Sequence, residues 1–223
     1  AIGREHNKGR RLLIGTTQMD SERLVIWDMG RIAASGKPEA LGLFRKIMLA
    51  SASMPALFPP QYFTVEAGGR TYEEMHADGG VRVEVMLYED ALKPFNLSDR
   101  TERKVYIIRN QTVNPEWKAI PPRLSHIALR AIDTLTKSQG IGDLYRLYAY
   151  AQRDKGDYNL AYIPPDFDMK PATPFDRTFM NALFQRGYEM AKAGYPNDIA
   201  KTFNFVVQES PQNRQLAAYA QAE

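Results

Sequence analysis

The chain has 223 residues, 44% of them hydrophobic and 25% charged, a composition that can bury a core without disulfide staples. Its formal charge of +3 is spread out apart from Arg4 and the run Lys8-Gly9-Arg10-Arg11, which argues against a nucleic-acid-binding face. It has no cysteine, so disulfides, thiol nucleophiles and cysteine-ligated metals are excluded, and no apolar run is long enough to span a bilayer.

In chain order, Arg11–Thr17 reads as a buried strand and Leu24–Trp27 as the next, with Met19–Glu22 as a polar turn between them. Lys37-Pro38-Glu39 opens a helix that runs to about Ser51, with proline just inside its start. Leu41, Phe44, Met48 and Leu49 form its expected apolar side, while Arg45 and Lys46 face out. Pro55 and Pro59-Pro60 then force an extended loop. Tyr62–Val65 and Thr71–Glu73 read as a hairpin closed through Ala67-Gly68-Gly69. Val83–Tyr88 is compatible with strand or helix, and Lys104–Asn110 is a strand. Pro121-Pro122 precede a helix through Leu135, and a second helix covers about Ile141–Arg153. Leu160–Ile163 is a short strand stopped by Pro164-Pro165. Phe175–Ala193 is a final helix, ended by Gly194 and Pro196. Residues 1–207 read as one mixed α/β domain, followed by a polar tail over 208–223.

The chemistry-bearing stretch is "EMHADGGV". Asp78-Gly79 alone is a common turn dipeptide, because Asp accepts local backbone hydrogen bonds and Gly tolerates positive φ. The second glycine, Gly80, adds room for close backbone approach. His76 and Asp78 share one strand face and could belong to a metal site. With only His6, His76 and His126 available, however, no three-ligand set is visible. No serine lies in a G-x-S-x-G elbow, and no glycine-rich phosphate cradle is present. Ser51 and Ser53 sit where the first long helix ends, and Ser125 lies in the first turn of a later one. Ser51 and Ser53 are explained as caps or packed small residues and Ser125 as a first-turn polar residue, and each remains an alternative nucleophile. Phe58, Tyr62 and Phe63 could line an acyl site or simply fill a core. The residues alone therefore offer one acid or base, Asp78, and no clear partner.

Several segments taken together resemble the second half of the bacterial patatin-like phospholipase domain. They are "LLIGTTQMDSERLVIWDMGRIA", "IMLASASMPALFPP" and "EMHADGGV", followed by "SQGIGDLYRLYAYAQRDKGDYNLAYIPPDF" and "FMNALFQRGYEMAKAGYP". The likeness covers about Leu12 to Pro196. Its most specific feature is A-S-x-x-x-P-x-x-F-P-P followed by D-G-G. The resemblance implies a three-layer α/β fold around a mixed central sheet and hydrolysis of lipid or other esters by a Ser–Asp dyad without a cofactor. Asp78 would be the base, with Gly79 and Gly80 shaping its turn. It also implies a bacterial cell-envelope or secreted location ahead of a cytoplasmic one.

The sequence departs from the family by lacking the upstream nucleophile elbow and glycine-rich oxyanion loop. The expectation is therefore a segment that contributes Asp78 and is inactive alone. Its expected partner is the missing N-terminal part of its own domain or a second copy in a homodimer. The competing expectations are a self-contained esterase using Ser51, Ser53 or Ser125, and a non-catalytic remnant that serves oligomerisation through an open sheet edge.

Overall fold

A computed structural model describes residues 1–86, 104–153, 155–173 and 175–194. The chain is mixed α/β and divides into two compact units, one of residues 1–98 and 120–145, the other of 99–119 and 146–223.

In the first unit, α1 (Ile2–Asn7) is followed by β1 (Leu13–Gln18) and β2 (Arg23–Asp28), then α2 (Met29–Ala34) and α3 (Ala40–Ser51). β3 (Gln61–Ala67) and β4 (Arg70–Asp78) come next, and a 3-10 turn spans Gly79–Val81. The four strands form an antiparallel sheet in the order β2-β1-β4-β3. The β3–β4 hairpin forms as its glycines require. Gly68 and Gly69 take φ of 57° and 72°, the two left-handed residues of a tight turn that matches the strand twist. The β1–β2 hairpin is held at its tip by the Gln18 side-chain oxygen, which accepts from the Ser21 amide at 2.6 Å.

The core lies between this sheet and the helices. Met29, Ile47, Ala50 and Phe63 are buried together, with Ile14, Trp27, Ile32 and Phe44 packed against them. This corrects the face expected for α3. The buried stripe is Phe44, Ile47 and Ala50, whereas Leu41, Met48 and Leu49 are 60%, 51% and 59% exposed. The small Ala50 lets the end of α3 close down on the sheet, and that rotates the larger Leu41 and Met48 outward. Of the outward charges, Lys46 folds back over the Phe63 ring at 5.0 Å.

α4 is one helix, Leu124–Arg153, in place of the two expected. Gly140 and Gly142 lie inside it, but each costs a helix only about 1 kcal/mol. No proline lies between Pro122 and Pro164 to remove a backbone donor. Residues Leu124–Tyr145 belong to the first unit and Arg146–Arg153 to the second.

The second unit holds β5 (Lys104–Arg109), β6 (Asp157–Tyr162) and α5 (Arg177–Ala193). β5 and β6 pair in parallel, Lys104 opposite Asp157 through Arg109 opposite Tyr162. Its buried side chains include Ile107, Val113, Leu147, Ala151, Tyr158 and Leu160. Among the described residues, antiparallel and parallel pairs thus occupy separate sheets, where one mixed sheet was expected. Within Val83–Tyr88, residues 83–86 are irregular and 87–88 lie outside the described residues, as do Pro196 and the tail 208–223.

Candidate active site around Asp78

Asp78 is the last residue of β4 and the N-cap of the 3-10 turn, where its Oδ1 accepts from the Gly80 amide at 2.7 Å. Its own amide donates to the Ser53 carbonyl at 3.0 Å, just past the end of α3. Its carbonyl accepts from the Thr17 hydroxyl at 2.9 Å, and across the sheet it sits opposite Thr16. The backbone at Asp78 is thus tied to both β1 and the α3 exit. Oδ2 has no hydrogen-bond partner among the described residues. Partial burial pushes the Asp78 carboxyl above the ordinary carboxylate value, and the Gly80 hydrogen bond offsets this in part.

The two glycines work by closeness. Neither has a positive φ. A Cβ on Gly79 would lie 2.7 Å from the Gly15 carbonyl oxygen, a backbone atom that cannot move aside. A Cβ on Gly80 would lie 3.1 Å from Asp78 Oδ1 and crowd the carboxylate. Only a chain without side chains at both positions can press this turn onto β1 and leave the carboxylate in place.

One supporting residue, Asp143, was not visible as a candidate in the sequence, and a second, His76, was weighed there only as a metal ligand. Asp143, buried on α4, accepts from the amides of Glu84 and Val85 through Oδ2 at 2.9 and 3.1 Å. It pins the strand of chain that leaves the Asp78 turn. Its only sequence signal was an acid set beside Leu144 in a helix. His76, two residues before Asp78, is fully buried and is bonded on both ring nitrogens, to Thr16 and to Glu74.

The alternative nucleophiles are placed as follows. Ser53 is beside Asp78 through its backbone, but its hydroxyl donates to the Leu49 carbonyl at 2.7 Å. Ser51 is the last residue of α3 and is half-buried. Ser125 is exposed in the first turn of α4. The three aromatics proposed to line an acyl site separate. Phe63 packs inside the core, with ring centroids 5.0 Å from Trp27 and 4.8 Å from His76, so it cannot line an open site. Tyr62, its neighbour on β3, points to the opposite face and is exposed, as is Phe58. Met54, Leu57 and Phe58 form an exposed apolar loop that begins directly after Ser53.

Elsewhere, the second unit has an apolar groove of about 170 Å³ at the carboxyl ends of β5 and β6, walled by Ile108, Tyr162, Leu183 and Met190. None of the candidate residues lies in it. Among the described residues, no three His, Asp or Glu side chains cluster closely enough to hold a metal. None of the described helices is long and apolar enough to cross a membrane. A comparison with protein-family models and with curated proteins finds no match for this chain.

Proposed function

We propose that this chain supplies the general base of a patatin-like Ser–Asp acyl hydrolase acting on lipid esters. The observation that carries the reading is Asp78 itself. It is a half-buried carboxylate with one oxygen fixed by Gly80, the other unbonded among the described residues, and a raised proton affinity. A base near a serine hydroxyl works best when its proton affinity is tuned upward by its surroundings. In this reading Oδ2 accepts the serine proton while Oγ bonds to the ester carbonyl carbon. The same proton then goes to the departing alkoxide, and water later repeats the cycle on the acyl-enzyme.

The 223 residues hold no elbow serine, so this reading requires the nucleophile and the oxyanion donors to be supplied from outside them. The loop carrying Met54, Leu57 and Phe58 supports an apolar acyl group, because it leaves the site at Ser53, whose carbonyl binds Asp78. The finer fold assignment, a patatin-like three-layer arrangement, belongs to the same reading. It is supported by the α3-to-β4 succession that ends in the Asp78 turn.

The test is hydrolysis of a p-nitrophenyl acyl ester by the full-length gene product that contains this sequence. Asp78→Asn should lower kcat/KM by roughly a hundredfold to ten-thousandfold, the usual range for a general base. Undiminished hydrolysis by a folded Asp78→Asn protein would remove the assignment.

A further inference from the structure

His76 is fully buried in the first unit, and none of the hydrolysis steps uses it directly. Its surroundings determine where its proton sits. The Trp27 indole nitrogen, which can only donate, lies 2.8 Å from Thr16 Oγ1. Thr16 Oγ1 also lies 2.8 Å from His76 Nδ1, and His76 Nε2 lies 3.2 Å from Glu74 Oε2. The Thr16 hydroxyl has one hydrogen and two lone pairs, and the indole occupies one of the pairs.

Consider the alternatives. A proton on Nδ1 would make Thr16 accept twice, and its own hydrogen would point into a fully buried region without an acceptor. Such an orphaned buried donor costs about 1–3 kcal/mol. Nε2 would then turn a bare lone pair toward the Glu74 carboxylate. An imidazolium would satisfy Glu74 but would still orphan the Thr16 hydrogen. Every hydrogen finds an acceptor in one arrangement only. Trp27 donates to Thr16, Thr16 donates to Nδ1, and Nε2–H donates to Glu74.

We propose that His76 is held as the neutral tautomer protonated at Nε2, and that this directed chain from Trp27 to Glu74 is the device that positions Asp78. The link is the β1–β4 register. That ladder has three pairs, Thr16 with Asp78, Thr17 with Ala77 and Gln18 with His76. A slip of one residue along this ladder would send every side chain to the other face. The Thr16–His76 bond crosses the ladder diagonally, from the partner of Asp78 to the residue two before it, and a slip breaks it. Phe63 packs its ring against His76 edge-on and closes the assembly. His76 is therefore a positioning residue, and its functional meaning rests on the proposed role of Asp78.

The experiment has two readouts that do not involve ester hydrolysis. In the ¹⁵N-histidine-labelled chain at pH 8, the long-range proton–nitrogen spectrum of His76 should show Nε2 protonated and Nδ1 bare. The opposite tautomer, or averaging between the two, overturns the proposal. Trp27→Phe removes a donor to Thr16 but supplies no new acceptor for the Thr16 hydrogen, so the Nε2-protonated tautomer should persist. A shift to the Nδ1 tautomer, or averaging between the two, in Trp27→Phe contradicts the directed chain. Thr16→Ser keeps the hydroxyl and Thr16→Val removes it. The Asp78 carboxyl, followed by ¹³C titration, should match the parent in Thr16→Ser and move toward the ordinary carboxylate value in Thr16→Val. An Asp78 titration that is the same in Thr16→Val as in the parent overturns the positioning role. These outcomes stand apart from the hydrolysis assay, which alone decides whether Asp78 is the base.

Discussion

Asp78 and Asp176 have the same local task in different units, and their surroundings drive their titration in opposite directions. Each caps the start of a helical turn with its carboxylate. Asp176, at the head of α5 and open to water, accepts from the amides of Ala172 at 3.0 Å, Thr178 at 2.9 Å and Phe179 at 3.3 Å. These donors, that of Ala172 foremost, hold its carboxyl below the ordinary range. Asp78 has a single such donor and is partly withdrawn from water, so burial outweighs the hydrogen bond and lifts its carboxyl. A carboxylate saturated by backbone donors is a structural cap, and one left with a free oxygen in a drier place can take a proton. The comparison separates a helix signal from a site, although both begin as Asp in a turn.

The comparison is broken most sharply by activity. The loss expected for Asp78→Asn should have no counterpart in Asp176→Asn, which should leave kcat/KM within about twofold, because surface caps act on stability alone. Equal losses for the two variants would show that general destabilisation, and not proton transfer, underlies the effect.

Packing gives the next largest effects. Gly79→Ala drives a Cβ to 2.7 Å from a backbone oxygen, and overpacking of this kind destabilises by about 1–3 kcal/mol. Gly187→Ala on α5 meets nothing within 4 Å and should stabilise by up to about 1 kcal/mol through helix propensity. Urea unfolding of the two variants should therefore shift in opposite directions. Asp143→Ala leaves the amides of Glu84 and Val85 without their acceptor, at about 1–3 kcal/mol. It should also raise hydrogen exchange at those two amides, and unchanged exchange there would refute the pinning role.

The smallest effects are in the pH dependence of stability, and they have opposite signs. The folded carboxyl of Asp78 lies above the unfolded value of 3.8. Its stabilising contribution is therefore full below 3.8 and is lost as pH rises through the raised native value. Asp176 lies below 3.8 when folded, so its contribution is present above 3.8 and is lost as pH falls through the lowered native value. Stability measured from pH 2 to 7 should lose the first dependence in Asp78→Asn and the second in Asp176→Asn.

What could be read in the sequence follows from how local each signal is. The β3–β4 hairpin was legible because Gly68-Gly69 dictates its own turn. The position of Asp78 was legible from its motif, but the reason for Gly79 was not, since that reason is the carbonyl of Gly15, sixty-four residues away in sequence. α1 and α2 are six residues each, too short to show a helical period. The buried face of α3 depended on Ala50, which scores weakly in any hydrophobic pattern but fits closest to the sheet. The role of Asp143 beside the Asp78 turn was invisible because it acts there on two backbone amides, which leave no mark on residue identity.

The most direct test of the central claim is intact-mass and peptide mapping after fluorophosphonate treatment, comparing the full-length gene product with its Asp78→Asn variant and with the 223-residue chain. The account predicts an adduct on a serine outside these 223 residues, strongly diminished by Asp78→Asn and absent from the shorter chain. An adduct on Ser51, Ser53 or Ser125, or labelling that is indifferent to Asp78, would contradict it.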